Sequence, residues 1–331
     1  MWNFPLLARV NSRSEFDRER IHWWCCGFLH LYILNYFSEP QDNHNKPLYT
    51  TSLHNIFMTD IPIQVSKFTR IQSPSSINTH RQCARKYYYS YIKKLQSLPS
   101  IHLIRGKIVH SALEDFFKFD VSKLTPESFE IESKMIISNF FKTHWENNKN
   151  ALSSLNLADD ELKHYHDESL MMLQNFHHTF MEKLKLQSMS LAEAFKKLTP
   201  KTEKHYQSKT HGVRGFIDAI HEIENKVILM DYKTSKKDII TEDYKLQLAI
   251  YALLYQETHN ILPDEVGINF LKFNEQTIKV DQELLEFAKK EVALIHEKTT
   301  STDMKDYPKT ITPLCKWHSG QCDYYNTCIK E

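Results

Sequence analysis

Gly215-Phe216-Ile217-Asp218 and, thirteen residues after that aspartate, Asp231-Tyr232-Lys233-Thr234 decide how this chain reads. Val213 to Ile220 and Val227 to Tyr232 are rich in β-branched and apolar residues, the composition of strands. Between them runs the polar stretch Glu222-Ile223-Glu224-Asn225-Lys226, with a turn-prone asparagine. The pattern predicts a hairpin centred on Glu224 and Asn225. That register sets Asp218 opposite Asp231, with Cβ atoms about 4.5–5.5 Å apart. Carboxylates so close repel unless a cation lies between them. Lys233, two residues past Asp231, falls on the same side of the pleat. A slip of one residue would scatter all three. The apolar run Val227-Ile228-Leu229-Met230 predicts a strand buried on both faces, and charges at the end of such a strand need partners or a metal. The competing reading is a surface hairpin with scattered charges, since Asp-x-Lys is common in a chain that is 25% charged.

Two carboxylates and a lysine suit phosphodiester chemistry. Mg²⁺ takes oxygen ligands and is held by one or two carboxylates, substrate phosphate and water. A bound divalent ion lowers the pKa of its water and stabilises attacking and leaving oxygens. A neighbouring lysine adds fixed positive charge where the transition state becomes negative.

Outward from the hairpin, the pattern is that of a large α/β domain. The chain has 331 residues, 41% hydrophobic, enough for a real core. Residues 124–200 read as helices over Pro126 to Asn148, Asp159 to Leu186 and Leu191 to Leu198, a helical insertion that covers or gates a channel. A strand near Thr202 precedes the hairpin. An amphipathic helix over Glu242 to Thr258 places Gln247 and Tyr251 on one face. A strand at Val266 to Phe273 and a helix from Asp281 to Lys298 follow. The net charge of +1 says nothing about nucleic acid globally. Locally, His80 to Lys94 holds Arg81, Arg85, Lys86, Lys93 and Lys94 without an acid, interleaved with Tyr87, Tyr88, Tyr89 and Tyr91. Basic side chains meet phosphates and aromatics stack on bases; the bland reading makes the tyrosines core and the charges a solvated face. No Gly-rich phosphate loop of a motor is visible, so any helicase or recombination partner is a separate protein.

Residues 1–65 form an N-terminal extension unlike the rest. Trp23 to Phe37 is apolar but shorter than the roughly 20 residues that span a bilayer, so no membrane association is expected. Translation starting at Met58 would leave residues 1–57 outside the protein; a targeting or contact segment is the competitor. No secretory signal is clear, which makes a cytoplasmic, nucleoid-associated protein the default and argues against disulfides.

These motifs resemble the PD-(D/E)XK nuclease superfamily, in its RecB-like branch. Gly106-Lys107-Ile108-Val109-His110, Gly215-Phe216-Ile217-Asp218, Asp231-Tyr232-Lys233-Thr234 and Gln247-Leu248-Ala249-Ile250-Tyr251 match four family motifs in order, over about residues 71–331. The resemblance implies a restriction-endonuclease-like core, a mixed central sheet flanked by helices, within a domain of residues 66–331. It implies metal-dependent DNA cleavage with Mg²⁺ or Mn²⁺, by exonuclease action on single strands or duplex ends, in repair, recombination or end processing. Asp218, Asp231 and His110 are the implied metal residues, joined by the Tyr232 carbonyl and, more loosely, by Glu203. Lys233 would orient water or steady the phosphate. Gln247 and Tyr251 would lie close to DNA or metal, with Arg81, Arg85 and Lys86 on the DNA. One early cysteine and three late ones, Cys83 with Cys315, Cys322 and Cys328, match relatives that carry a 4Fe–4S cluster. The chain departs from them in the wider spacing after Cys315, where His318 stands, and Cys315, His318, Cys322 and Cys328 suggest a structural Zn²⁺ site as the alternative. Rival functions are a CRISPR spacer-processing nuclease of the same branch, a non-catalytic DNA-binding scaffold, and a zinc-stapled protein-interaction domain.

Overall fold

The computed structural model describes residues 68–331 apart from 318 and 319. The expectations for residues 1–65, with Cys25 and Cys26, and for His318 lie outside the described residues. Five strands make one sheet in sequence order: β1 (Lys201–Ser208), β2 (Val213–Ile223), β3 (Lys226–Lys233), β4 (Glu265–Phe270) and β5 (Glu275–Lys279). Neighbours are antiparallel except β3 and β4, which run parallel. The hairpin falls where the sequence puts it. Ile223 pairs with Lys226, and Glu224 and Asn225 between them both take left-handed angles, φ 50° and 65°. Positive φ at both central positions is the type I′ turn, whose twist suits a two-residue hairpin.

The helices are α1 (Pro74–Gln82), α2 (Ala84–Tyr87), α3 (Ile101–Lys118), α4 (Phe129–Asn147), α5 (Lys149–Ser153), α6 (Asp159–Lys185), α7 (Leu191–Leu198), α8 (Glu242–His259), α9 (Gln282–Lys298) and α10 (Tyr325–Cys328). Local chemistry fixes several ends. Ser73 and Ser190 each build a capping box, with Ser76 and Glu193, and Thr241 and Asp281 cap α8 and α9. Asn260 ends α8 in the left-handed conformation. Because β3 and β4 are parallel, the chain needs a crossover, and α8 supplies it.

Two apolar clusters sandwich the sheet. On one face Ile217, Ile220, Leu229 and Ile268 pack against α8, α9 and the tyrosines after α1. On the other, Ala219, Met230, Tyr232 and Leu271 pack against α3, α4, α6 and α7. The helices over 129–198 are thus built into the core of the second face, through rings such as Phe117 and Phe180, perpendicular at 5.5 Å. The α/β fold with a mixed sheet flanked by helices matches the expectation.

Some details differ. The strand expected to reach Phe273 stops at Phe270; the chain turns there and returns as β5. The sequence Glu275 to Lys279 hides this strand because it is a polar edge. Val227 and Ile228, next to the turn, are only half-buried, so burial begins at Leu229. Tyr87, Tyr88 and Tyr89 are core residues. Arg85 is not available to phosphate. It is buried, donates from Nε to the Tyr307 carbonyl at 2.8 Å, and pairs with Glu331 at 2.5 Å. Arg81 lies 4.0 Å from both Asp243 and Glu291. Lys86 stays on the surface and donates to Gln82 at 3.1 Å.

Candidate metal and active site

Five elements deliver the site: α3 brings His110, β1 Glu203, β2 Asp218, β3 Asp231 to Lys233, and α8 Gln247 with Tyr251. The β2–β3 ladder is paired from Ile223↔Lys226 to Ala219↔Met230. Continued by one step, it sets Asp218 opposite Asp231. There the ladder opens, and the Asp218 carboxylate accepts from the Tyr232 backbone N–H at 2.8 Å.

The pleat slips at the same point. Val213 and Ile217 lie in the cluster beside α8, Ala219 lies in the opposite cluster, and Ile220 returns to the first. Strict alternation would keep Ile217 and Ala219 on one face. Across the ladder, β1 pairs Thr202 with Ala219 and Lys204 with Ile217, which puts Glu203 at the level of Asp218. Glu203 takes φ 51°, a left-handed angle uncommon for a non-glycine residue and costly inside a strand. Both strands therefore depart from regular geometry at the two carboxylates.

The result is a convergent group. Ligand atoms of His110, Glu203 and Asp218 all lie within 4.8 Å of one another. His110 Nδ1 is 3.5 Å from Asp218 and 4.0 Å from Glu203. Its other nitrogen, Nε2, sits 2.9 Å from the Tyr232 carbonyl. As an N–H donor there, it leaves Nδ1 as the nitrogen that faces the carboxylates and exchanges its proton. A metal-binding histidine is typically oriented in this way, by a backbone acceptor on the far nitrogen. The Tyr232 carbonyl, expected as a ligand, is the acceptor in this arrangement.

Asp231 is 2% exposed. Gln247 donates to its Oδ1 at 2.7 Å, and Tyr251 reaches the same oxygen at 3.4 Å. Gln247 and Tyr251 themselves lie 2.7 Å apart. Their place is beside the carboxylate, not on an open DNA surface. Oδ2 is held by the Lys233 ammonium, with Nζ at 2.5 Å. The glycine of Gly215 is needed for this. A Cβ there would come within 3.1 Å of the Tyr251 ring and 3.3 Å of Leu254, so its absence lets α8 approach β2. Gly106, by contrast, has ordinary room for a side chain.

Electrostatics mark the group as short of positive charge. Burial raises the Asp231 carboxyl pKa, with Lys233 opposing and Asp218 reinforcing the rise. Burial and then Asp218 raise Glu203. Burial pulls His110 down, but the hydrogen bond and charge of Asp218, then Asp231, outweigh it and push His110 up to about 9. A cation among these carboxylates would answer the same imbalance. The convergent donor set of two carboxylates and one imidazole, His110, Glu203 and Asp218, fits a divalent ion such as Mg²⁺ or Mn²⁺.

A family model for the PD-(D/E)XK nuclease superfamily matches residues 72–329. The chain belongs to this superfamily. A search of curated proteins finds no match. Among solved structures, a candidate exonuclease from Eubacterium rectale aligns over 74% of this chain and 86% of its own, at 12% identity and a TM-score of 0.45.

One residue next to this group had only a faint sequence signal. Arg105, one turn before His110, is 1% exposed. It pairs with Glu168 of α6 and donates to the Thr234 carbonyl at 3.0 Å, while Lys272 pairs with the same Glu168. The bond ties α3 to the end of β3, directly past Lys233. A buried arginine on an otherwise apolar helix face was the available hint, but its partner is 63 residues away.

The cysteines behave differently. Cys83, Cys315, Cys322 and Cys328 are all free and half-buried. Cys322 and Cys328 pack against the core, and the Cys322 N–H donates to the Cys315 carbonyl at 2.9 Å. Burial raises the Cys328 thiol, and Cys83 is among the charges acting on it. Among the described residues no three thiols lie within 4.8 Å of one another. Bonds of about 2.3 Å to a single Zn²⁺ would require that. A 4Fe–4S cluster places each thiolate on a separate iron and asks for wider spacing. No helix of the described residues is long and apolar enough to cross a membrane.

Proposed function

We propose that this PD-(D/E)XK protein is a RecB-like, divalent-metal-dependent DNA nuclease, an exonuclease acting on single strands or duplex ends in repair, recombination or end processing. The observation that carries this reading is the convergence of His110, Glu203 and Asp218 beside the Asp231–Lys233 pair. His110 Nδ1, Asp218, Glu203 and Asp231 would hold Mg²⁺ or Mn²⁺. When bound, the ion supplies an activated water and charge neutralisation at the phosphate. Lys233 holds a positive charge next to that position and steadies the pentacoordinate phosphate. Gln247 and Tyr251 orient Asp231, and the Tyr232 carbonyl orients His110. Arg105 anchors the strand that carries Lys233. Cys83, Cys315, Cys322 and Cys328 hold a 4Fe–4S cluster that ties the segment before α2 to the C-terminal segment. The half-burial of all four thiols and the electrostatic effect of Cys83 on the Cys328 thiol support it.

The test is cleavage of end-labelled single-stranded and linear duplex DNA with Mg²⁺ or Mn²⁺, comparing the anaerobically purified protein with Asp231→Ala. Metal-dependent shortening by the parent alone is expected. DNA binding without cleavage by either protein would favour a silent scaffold.

A further inference from the structure

Beyond the metal group, the β1–β2 ladder continues as an open surface. Alternation there is regular. Val213, Gly215 and Ile217 are buried, while Arg214 and Phe216 between them are exposed. Their cross-strand partners, Gln207 and His205, are exposed too. Phe216 is 55% exposed, and its ring lies 4.7 Å from that of His205. Phe216 thus packs on His205 and presents the rest of its ring to solvent. The helices of this side close over Ala219, Met230 and Tyr232 and leave Phe216 uncovered.

Position gives the exposed ring a meaning. Phe216 precedes Asp218 by two residues on β2, just before the pleat slip. His205 follows Glu203 by two residues on β1, just past the left-handed angle at Glu203. The aromatic pair, His205 opposite Phe216, is therefore two residues along the β1–β2 ladder from the carboxylates. Arg214 lies one step further. The four side chains carry no acid, so the strip is neutral to basic where the adjoining group is strongly acidic. A phosphodiester at the carboxylates would set its neighbouring base over Phe216 and a further phosphate near Arg214.

Resting on the nuclease reading above, we infer that Phe216, backed by His205, is a stacking platform for an unpaired nucleobase next to the scissile phosphate. Arg214 guides the adjoining backbone. The substrate strand is single at that point. A base inside a duplex keeps both faces in its own stack and cannot present one to the ring. The platform is sequence-tolerant, because every base has a π-face.

The experiment is fluorescence anisotropy of the full chain with 5′-labelled oligo-dT and with a blunt duplex of equal length, in Ca²⁺ at low salt. Parent, Phe216→Ala and Phe216→Trp are compared, and Mn²⁺ affinity and thermal stability are measured on each. Phe216→Ala is expected to bind oligo-dT on the order of tenfold more weakly, with duplex binding, Mn²⁺ affinity and melting unchanged. Phe216→Trp is expected to restore or exceed parental binding. Parental oligo-dT affinity in Phe216→Ala would overturn the platform and leave the nuclease reading standing. Equal losses on oligo-dT and duplex would overturn the stacking role. A parent that binds neither DNA would overturn the nuclease reading, and the platform with it.

Discussion

His110, Glu203 and Asp218 bring ligand atoms within 4.8 Å of one another, while no three of Cys83, Cys315, Cys322 and Cys328 do so. The two groups are assembled by different forces. The carboxylates lie on adjacent strands, so the register that builds the sheet also builds the site. Its imbalance of charge persists because the backbone N–H of Tyr232, the Gln247 amide and the Lys233 ammonium hold it open. The cysteines sit at the ends of the domain, where side-chain bonds such as Arg85 to Glu331 hold the segments together. Adjacent strands bring these ligands together before any metal arrives. A pair of chain segments leaves more of that positioning to the bound group, which then contributes to folding.

The largest expected effect separates the two regions directly. Asp231→Asn keeps the shape and the Gln247 contact but removes the charge. Cleavage should fall on the order of a thousandfold, the several kcal/mol that metal and charge stabilisation supply. Melting should stay within a few degrees. Cys328→Ser should do the reverse, losing bound iron and lowering the melting temperature while a residual nuclease keeps its metal dependence. Iron and sulfide assays with thermal melts decide it. Loss of cleavage in both variants with no change in melting would break the contrast.

Next in size is the support of Asp231. Gln247→Ala removes the donor to Oδ1 and leaves Tyr251 at 3.4 Å as the remaining contact. Outer partners of metal ligands are worth about 10–100-fold in affinity or activity. Mn²⁺ affinity should drop by that amount, and high Mn²⁺ should recover part of the rate. A loss of rate that no Mn²⁺ concentration relieves would place Gln247 on the substrate instead.

Much of this arrangement was legible in the chain. The Glu224–Asn225 turn follows from two polar residues between β-branched runs, and it fixes which residues face each other. The helices Leu191–Leu198, Glu242–His259 and Gln282–Lys298 fall within a residue of their expected limits, since apolar periodicity marks their extent; the structure adds that Ser190, Thr241 and Asp281 cap their starts. What was hidden depends on distant partners. Arg85 reads as a DNA contact beside Arg81 and Lys86, yet Glu331 and the Tyr307 carbonyl claim it. Arg105 has no meaning without Glu168. The left-handed angle at Glu203 and the pleat slip at Asp218 have no local signature at all. They come from fitting two strands around carboxylates that regular alternation would set differently.

A smaller effect concerns protons. The metal-free His110 titrates near 9, above the ordinary 6.5. Its contact with Asp218 therefore stabilises the metal-free fold fully below about pH 6.5 and is lost as pH rises through about 9. A metal at Nδ1 must displace that proton. Apparent Mn²⁺ affinity should rise with pH between those limits, by up to about tenfold per unit. Calorimetry in buffers of different ionisation enthalpy should record up to one proton released at pH 7.5. Proton-neutral binding would show that His110 is not a ligand.

The smallest effect isolates the two halves of one residue. The backbone of Tyr232 serves the metal group on both sides, through its N–H to Asp218 and its carbonyl to His110. Its ring stands edge-on to His110 at 6.1 Å and to Phe176 at 5.7 Å, and borders a cavity of about 350 Å³ between α6, α7 and the sheet. The hydroxyl is buried there without a hydrogen bond. An unsatisfied buried hydroxyl costs stability, so its removal should cost none. Tyr232→Phe should leave Mn²⁺ affinity and cleavage within twofold and raise stability by up to about 1 kcal/mol, a shift of about 2–4 °C in melting temperature. Destabilisation by more than that amount would mean the hydroxyl has a partner, such as an ordered water in the cavity. A loss of cleavage would mean that the ring, and not the backbone alone, sets the position of His110.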